Sequence, residues 1–261
     1  MDMGLIPSTT CMRIAVVSDV HGNLTALDAV VADIEKEGVD LVVHGGDLVG
    51  GSRNAEVIDF VRERGWPGVY GNAEEMLWMP ERVARNVPGP QFERMRNVVL
   101  TETIPFLREA IGTERLNWLR RLPTRWTHAG VAVMHAGPDD VWRSPWSNAS
   151  DEELTSVYGP LGYRMVVYGH IHHPFVRRLS TLTVANSGSL SFSYDGDPRA
   201  AYVLFDDDDV VVRRVEYNVE EEIRLLAAAH YPDAEWITQI YRAARPVPPP
   251  SASRVSAEVP L

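Results

Sequence analysis

Short apolar runs alternate with helical patterns along the first half of the chain, and this alternation constrains the fold more than any other feature. The runs are MRIAVVSD (12–19), VDLVVHGGD (39–47) and GVYGN (68–72). Two amphipathic patterns, at 23–38 and 55–65, separate them, and each ends at a glycine. Such alternation is typical of βαβ units, in which strands this apolar are buried on both faces. The sequence therefore predicts an α/β fold.

The second half of the chain predicts further strands and then helices. The run RWTHAGVAVMHAG (125–137) indicates two strands around an Ala-Gly turn, and RMVVYGH (164–170) indicates another buried strand. After it, PFVRRL, TLTVAN, LSFSY and AYVLFDDDDVVVRRVEY indicate strands joined by short turns, as in an antiparallel meander. We expect one domain over residues 12–245, with a helical cap insertion at 78–122 and closing helices at 218–245. Residues 1–11 predict a flexible tail, and the Pro- and Ser-rich residues 246–261 a disordered one.

Charge and cysteine content narrow the classes of function. The chain has 261 residues and a formal net charge of −11, which disfavours binding to nucleic-acid polymers or anionic membranes. The one cysteine, Cys11, excludes an internal disulfide and a zinc site built from several thiolates. No signal peptide or apolar run of transmembrane length is present. We expect a cytoplasmic protein, and a small anionic substrate stays compatible with the net charge because local cations or metals can reverse the field in one cleft. The oligomeric state is left open.

Polar side chains follow the apolar runs at the points where the predicted strands end. Because the carboxyl ends of parallel strands share one edge of a sheet, where ligands bind in open α/β folds, we expect these side chains to meet. Glycines beside them permit the tight turns required. His44 lies within its run and is interpreted as a packed or rim residue, and His128 as a surface residue. The candidate ligands are Asp19, His21, Asp47, Asn72, His135, His170 and His172.

Imidazoles and anionic oxygens without thiolate form a site for borderline divalent metals such as Mn, Fe, Zn, Co or Ni, of which we favour Mn. The residues are too many for one ion, so we expect two, at roughly 3.5–4 Å from each other. A carboxylate can bridge two ions, and Asp47, alone on its strand, is the natural bridge. Each residue also has a structural interpretation: Asp19 and His21 could cap the next helix, and Asn72 could be a plain turn residue.

The motifs Asp19-Val-His21-Gly-Asn, Gly46-Asp47, Gly71-Asn72, His135 and Gly169-His170-Ile-His172 together resemble the calcineurin-like metallophosphoesterase superfamily. The match runs in order from about Met12 to Tyr217. GGDLVGGSRNAEVIDFVRERG, NSGSL and DGDPRAAY are similar to the YfcE-like bacterial and archaeal phosphodiesterase branch. The Asp-Arg-Gly signature of Ser/Thr protein phosphatases is absent after Asp47.

The resemblance implies a four-layer αββα sandwich, in which two mixed β-sheets are flanked by helices. It also implies that one metal is held by Asp19, His21, Asp47 and His172, and the other by Asp47, Asn72, His135 and His170. A hydroxide that bridges the metals would attack phosphorus, and both metals would stabilise the developing charge. Asn72 and His135 are therefore interpreted as catalytic residues as well as ligands.

Ala73 departs from the family pattern, in which many members have a histidine that positions the substrate or protonates the leaving group. Loss of a general acid costs roughly 10²–10⁴-fold for poor leaving groups and little for aryl or phosphate ones. His173 is one possible substitute, or it packs or faces solvent. Arg53 could clamp a substrate phosphate or be an exposed loop charge, and Trp142 is a candidate for substrate contact.

The sequence therefore predicts a dinuclear metal-dependent phosphodiesterase that acts on a small phosphate ester or a nucleotide. One alternative is a non-catalytic metal-binding scaffold of the same fold, which the intact ligand set disfavours. Another is a phosphomonoesterase or protein phosphatase, which Ala73 and the missing Arg-Gly signature disfavour.

Overall fold

The computed structural model describes residues 12–206 and 209–250. Its strands are β1 (Ile14–Val17), β2 (Leu41–His44), β3 (Arg125–His128), β4 (Val131–Met134), β5 (Met165–Tyr168), β6 (Phe175–Arg178), β7 (Thr183–Asn186), β8 (Ala200–Asp206) and β9 (Asp209–Val215). Its helices are α1 (Leu24–Glu37), α2 (Asn54–Glu63), α3 (Asn72–Glu75), α4 (Glu81–Asn86), α5 (Glu93–Val98), α6 (Ile104–Leu119), α7 (Asp151–Tyr158), α8 (Val219–Ala228) and α9 (Ala234–Ala243).

The strands form two mixed sheets. One has the order β2-β1-β8-β9, with β1 parallel to β2 and antiparallel to β8. The other has the order β3-β4-β5-β7-β6, in which β4, β5 and β7 are parallel and the two edge strands are antiparallel to their neighbours. β6 and β7 form an antiparallel pair and so do β8 and β9, as the sequence predicts, but β8 joins the other sheet, so these strands do not form one continuous meander.

Three apolar clusters account for the layers. Alternate residues of the two sheets face each other in one cluster, for example Val16 and Val203 against Val133 and Val167. The opposite face of the first sheet packs on α1, α2, α6, α8 and α9, and the opposite face of the second sheet packs on α7. Each buried Val or Leu contributes about 1.5–3 kcal/mol. The predicted four-layer αββα sandwich of two mixed sheets flanked by helices is confirmed.

Helix α1 shows how the sequence directs the chain from a strand end back across the sheet. The side chain of Asn23 accepts a hydrogen bond from the backbone N–H of Ala26 and so caps the first turn. Leu27, Val30 and Ile34 recur at helical spacing and are buried on the sheet. Gly38 adopts φ 64°, which ends the helix in the left-handed conformation. The helix thus starts five residues after Asp19, directly after the loop that carries it.

Two predicted strands are absent from the described residues. Residues 68–72 form a single bridge, from Gly68 to His44, and then turn into α3. Residues 190–194 form no strand because their backbone N–H groups bond to loops: Leu190 donates to Ser18, and Tyr194 donates to His172. The first segment lies against the end of β2, and the second against the loops that follow β1 and β5.

The chain from α3 to α6 is helical, as the sequence predicts, but it is irregular. A 3₁₀ turn at Pro90–Phe92 precedes α5, and a π-helical segment at Val99–Thr103 joins α5 to α6. Gly112, at φ 69° and ψ 171°, kinks α6. Leu107 and Ile111 are fully buried in the same apolar cluster as α1 and α2. The predicted helical cap therefore shares the main core of the molecule.

The predicted tails lie largely outside the described residues. Residues 1–11 and 251–261 belong to neither described range, and residues 207 and 208 of the Asp run between β8 and β9 also fall outside. Residues 246–250 are described, and the indole N–H of Trp236 donates to the carbonyl of Val247 at 3.0 Å. This stretch therefore departs from the expected disordered tail. Within the described ranges, no helix is long and apolar enough to cross a membrane.

Candidate metal centre

The side chains predicted as metal ligands converge at one edge of the sandwich. Asp19 follows β1, Asp47 follows β2, His135 follows β4 directly, and His170 follows β5. Five of the predicted ligands have left-handed backbone, which costs a non-glycine residue roughly 1–3 kcal/mol and clusters at functional sites. Strain of this kind is concentrated where the strand ends turn their side chains toward one point. The five are Asp19 (φ 56°), His21 (45°), Asp47 (53°), His170 (67°) and His172 (55°).

Asp19, His21 and His172 form one group, in which the candidate ligand atoms all lie within 4.8 Å of one another. Nε2 of His172 is 3.0 Å from Oδ1 of Asp19, and Nε2 of His21 is 3.9 Å from the same oxygen. All three residues are buried. One carboxylate oxygen and two imidazole nitrogens thus surround a space suited to a divalent cation.

Asp19, Asp47 and His135 form a second group with the same spread of ligand atoms. Oδ1 of Asp47 is 3.5 Å from Nε2 of His135, and Oδ2 is 3.7 Å from Nε2 of His21. Asp19 belongs to both groups, whereas Asp47 turns one oxygen toward each group's histidine. Asp47 therefore has the arrangement that a bridging carboxylate requires.

Asn72 and His170 complete the second group. Oδ1 of Asn72 lies 2.9 Å from Nε2 of His135 and 2.8 Å from Nδ1 of His170. The backbone N–H of His170 donates to both carboxylate oxygens of Asp19, at 3.0 and 3.2 Å. The structure thus brings all seven predicted ligands together from five segments of the chain.

Each of the four histidines directs one ring nitrogen at a backbone carbonyl. Nδ1 of His21 faces Val49 at 3.0 Å, Nδ1 of His135 faces Gly45 at 2.9 Å, and Nδ1 of His172 faces Phe192 at 2.5 Å. In His170 it is Nε2 that faces a carbonyl, that of Trp142, at 3.1 Å. A ring N–H that donates to a carbonyl leaves a lone pair on the other nitrogen, which is the arrangement of metal-binding histidines.

These lone pairs have no protein donor to meet, which is the observation that tests whether the residues fit a metal. Nε2 of His21 is buried and has no hydrogen-bond partner within the described ranges. The free nitrogens of His135 and His170 both face the acceptor oxygen of Asn72. Acceptors that converge without a donor are costly when buried, and a cation removes that cost. The nitrogen and oxygen donors present therefore fit divalent metal ions.

The electrostatics of the cluster agree with this fit. Burial lowers the pKa of His21 to about 3 and that of His170 to about 3, so both rings are neutral near pH 7. Burial alone would raise the pKa of Asp19, but the interaction with His172 outweighs it and lowers that pKa. Burial, with the charges of Glu74 and Asp19, raises the pKa of Asp47 well above its usual value. The site thus gathers more negative charge than its own histidines balance.

Glu74 supports the loop that carries Asp47, a role that the sequence analysis did not identify. Its buried carboxylate accepts backbone N–H groups of Asp47, Leu48, Val49 and Gly71, at 2.8 to 3.1 Å. Burial raises the pKa of Glu74 despite these bonds. An acid three residues after Gly71 has the spacing of a capping box, and this spacing is the signal that could have found it.

Two of the three predicted substrate contacts, Arg53 and Trp142, are engaged with other groups of the protein. Arg53 donates to Thr25 and pairs with the fully buried Glu222 at 3.1 Å, so its guanidinium is engaged away from the predicted ligands. The indole N–H of Trp142 donates to Glu75 at 2.6 Å, so this side chain braces the loop that carries the carbonyl facing His170. His173 is half-buried beside His172. The sequence did not anticipate these partners because they come from distant segments.

A cavity of about 180 Å³ opens beside the candidate ligands. His21, Asn72 and Ala73 line its floor, and its walls come from α3, α5, the π-helical segment and the start of α9. Neither Arg53, Trp142 nor His173 lines it. The space next to the predicted metal site is therefore bordered by apolar residues that the sequence did not single out, among them Met76, Val99, Phe192, Trp236 and Ile237.

Comparisons with known proteins agree with this architecture. A family model described as the calcineurin-like phosphoesterase superfamily domain matches residues 12–209. The uncharacterized protein MJ0912 of Methanocaldococcus jannaschii is 27% identical over 248 residues, which cover 86% of this chain and 95% of that protein.

Two solved structures are similar over most of the chain. A metallophosphoesterase from Sphaerobacter thermophilus is 25% identical, with a TM-score of 0.73 over 90% of this chain and 100% of that one. The hypothetical protein PH1004 from Pyrococcus horikoshii OT3 is 18% identical, with a TM-score of 0.74 over 88% of this chain and 97% of that one. The second likeness shows the fold alone.

Proposed function

Because the chain belongs to the calcineurin-like phosphoesterase superfamily, we propose that it is a phosphodiesterase that depends on two divalent metal ions. The observation that carries the proposal is the set of converging side chains at the strand ends. Each of their four imidazoles keeps one nitrogen free while a backbone carbonyl holds the other. Family membership supports phosphate-ester hydrolysis. We add to it a preference for diesters and the presence of two metal ions.

The two ions would be held by the ligand sets expected from the sequence. Asp19, His21, Asp47 and His172 would hold one, and Asp47, Asn72, His135 and His170 the other. When bound, such ions supply an activated water and stabilise charge on the phosphoryl oxygens. We favour manganese, because a set of imidazole, carboxylate and amide ligands without thiolate suits it.

The chain's own residues restrict which esters react well. Ala73 lies next to Asn72 and has no proton to give, and its backbone N–H is committed to Oδ1 of Asp47 at 2.8 Å. A leaving group that departs as an alkoxide gains from a positioned acid, whereas an aryl oxide does not need one. This favours diesters with good leaving groups over alkyl monoesters, as in the YfcE-like branch that the sequence resembles.

We further propose a small phosphorylated substrate and a cytoplasmic location. The net charge of −11 disfavours a nucleic-acid polymer as substrate, and the one cysteine, Cys11, is in keeping with a reducing compartment.

The test combines metal analysis with an assay. Protein purified without added metal is analysed for bound elements, stripped with a chelator, reloaded with Mn²⁺ and assayed with bis-p-nitrophenyl phosphate. We expect turnover that requires the metal, is lost in His135→Ala and is retained in His128→Ala, a matched change at an exposed histidine. Metal binding without turnover would support a non-catalytic scaffold instead. The absence of both metal binding and turnover would refute the proposal.

A further inference from the structure

The cavity beside Ala73 is continuous with the candidate metal centre. His21 and Asn72, which belong to the predicted ligand sets, line it together with Ala73. A phosphoryl group at the metal ligands would therefore place one of its ester groups at the mouth of this cavity. The residues that line the rest of the cavity then decide which ester group fits.

The walls are chemically suited to an apolar ring. Met76, Val99, Phe192, Trp236 and Ile237 contribute thioether, aliphatic and aromatic surfaces. Thioethers and aromatic edges make favourable contacts with a bound ring. A nucleobase edge would need several free hydrogen-bonding groups. Apart from the hydroxyls of Thr103 and Tyr231, the uncharged side chains of the walls offer only the indole N–H of Trp236, which already donates to Val247.

The acid that lines the cavity is already neutralised. Both carboxylate oxygens of Asp233 accept hydrogen bonds from the guanidinium of Arg94, at 2.6 and 2.9 Å. This bidentate pair also joins α5 to the turn before α9, so it fixes two walls of the cavity relative to each other. A cationic group on the substrate would have to compete with Arg94, whereas a neutral ring would not.

The size of the cavity sets an upper limit on the group. Its volume is about 180 Å³, and an apolar cavity of about 150 Å³ is known to accept one benzene ring. A single ring fits such a space, and a nucleoside is too large for it. Ala73 contributes only a methyl group to the lining, and any longer side chain there would take up part of the same volume.

We propose that this cavity binds a single apolar aromatic ring and that this ring is the leaving group of the diester. The inference rests on the proposed phosphodiesterase function. In the reaction, an oxygen from water bonds to phosphorus, and the bond from phosphorus to the ring's oxygen breaks. That oxygen leaves with the electron pair as a phenolate. One proton of the water passes to the solvent, and the other stays on the phosphomonoester, which is the second product. The missing acid at Ala73 and the room beside it thus have one common explanation.

Binding measurements test the ring site separately from catalysis. Phenylphosphonate and methylphosphonate are titrated by calorimetry into the Mn²⁺-loaded protein, and the ratio of their dissociation constants is compared among variants. Val99→Phe and Ile237→Phe each fill the cavity from a different wall. Val211→Phe is the matched control, since Val211 is exposed on β9.

We expect the parent and the control to bind the phenyl compound at least about tenfold more tightly than the methyl one. In both filled variants the preference should fall below about threefold, while methylphosphonate binding is retained. Equal affinities in the parent, or an unchanged preference in two folded variants, would overturn the ring site. A parent that keeps the phenyl preference but does not hydrolyse bis-p-nitrophenyl phosphate would support the ring site and refute the proposed function. If neither phenylphosphonate nor methylphosphonate binds, both the ring site and the proposed function are refuted.

Discussion

The strand-end cluster is the set of seven predicted ligands, and the helical cover is the set of helical residues that line the cavity beside them. The two differ in how the sequence specifies them. In the cluster, a ligand such as Asp19 or His135 lies within a few residues of a strand, and a left-handed turn or a short loop directs it. In the cover, Met76, Val99 and Trp236 meet at the cavity although they come from helices far apart in the chain. Local sequence thus determines the cluster, whereas the packing of distant helices determines the cover. The residues that carry the chemistry can therefore be identified from the sequence more readily than the residues that set the substrate specificity.

The change with the largest expected effect is Asp47→Asn in the cluster. Asn keeps the acceptor for the backbone N–H of Ala73 but loses the charge that faces His21 and His135. Metal-ion catalysis contributes several kcal/mol, so we expect kcat to fall by roughly 10³-fold or more. Because the charged form of Asp47 is disfavoured where it is buried, the metal-free variant should unfold at the same temperature as the parent or a higher one.

Steady-state kinetics and thermal unfolding check this expectation. Asp59→Asn is the control outside the cluster, on α2, where Asp59 pairs with Arg115 at a partly exposed position. Such a pair contributes about 0–1 kcal/mol, so kcat should stay near that of the parent. If Asp47→Asn retained activity within tenfold of the parent, the bridging role would have to be abandoned.

Ala73→His tests the boundary between the cluster and the cover. A histidine here supplies a proton donor beside Asn72 and fills part of the cavity, so the two effects should act on different substrates. We expect the ratio of kcat/KM for glycerol 2-phosphate to that for bis-p-nitrophenyl phosphate to rise by about 10². Ala73→Phe, which fills the space without a proton donor, should slow the aryl diester and give no such gain. An unchanged ratio in Ala73→His would show that the residue does not set the preference.

The sequence predicted much of the fold and the cluster because both follow from short-range patterns. The apolar runs before Asp19, Asp47, His135 and His170 placed four strand ends correctly, since buried strands need little more than local composition. Residues 68–72 looked like a fifth strand end, but the chain forms one bridge and then starts α3.

The sequence could not predict which partners these side chains have, because the partners are distant in the chain. Arg53 was interpreted as a phosphate clamp or an exposed loop charge, and in the structure it pairs with Glu222, which is 169 residues away and buried. Trp142 stays a predicted substrate contact, and its indole N–H donates to Glu75, 67 residues earlier. The π-helical segment and the kink at Gly112 likewise depend on helix packing, which no periodicity encodes.

Trp142→Phe tests whether the loop after β4 orients a ligand of the cluster. The indole N–H of Trp142 donates to Glu75, which also accepts from Arg82, and the carbonyl of Trp142 faces His170. Loss of a residue that orients a metal ligand costs roughly 10–100-fold in metal affinity. We therefore expect the second metal, the one assigned to His170, to bind about tenfold more weakly while the first is unaffected.

Manganese titration followed by calorimetry would resolve the two ions. Trp126→Phe serves as the matched control, because Trp126 lies on the edge strand β3 and stacks on the exposed His128. If Trp142→Phe weakened the binding of both ions equally, or of neither, Trp142 would not be the residue that orients His170.

His44→Leu gives the smallest expected effect on activity, and it separates a buried histidine from the ligand histidines of the same edge. His44 ends β2, is fully buried, and neither of its ring nitrogens has a hydrogen-bond partner within the part of the chain that the structure describes. Burial lowers its pKa from 6.5 to about 4. Below pH 6.5 the unfolded chain therefore takes up a proton at this position that the folded chain refuses, so stability falls as the pH drops toward 4. Above pH 6.5 this contribution is fully present.

His44→Leu should remove the part of the pH dependence of the unfolding free energy that arises from His44 and leave the remaining pH dependence unchanged. Each unit of pKa difference corresponds to about 1.4 kcal/mol, so the parent should lose about 2 kcal/mol between pH 7 and pH 5 through His44. Urea unfolding of metal-free parent and variant at both pH values measures this, and the ligand histidines cancel because both proteins contain them. His128→Leu, at an exposed position, should keep the slope of the parent. Parallel pH profiles for the parent and His44→Leu would mean that His44 has the same pKa in the folded and the unfolded chain, so that burial at the end of β2 does not set it apart from an exposed histidine.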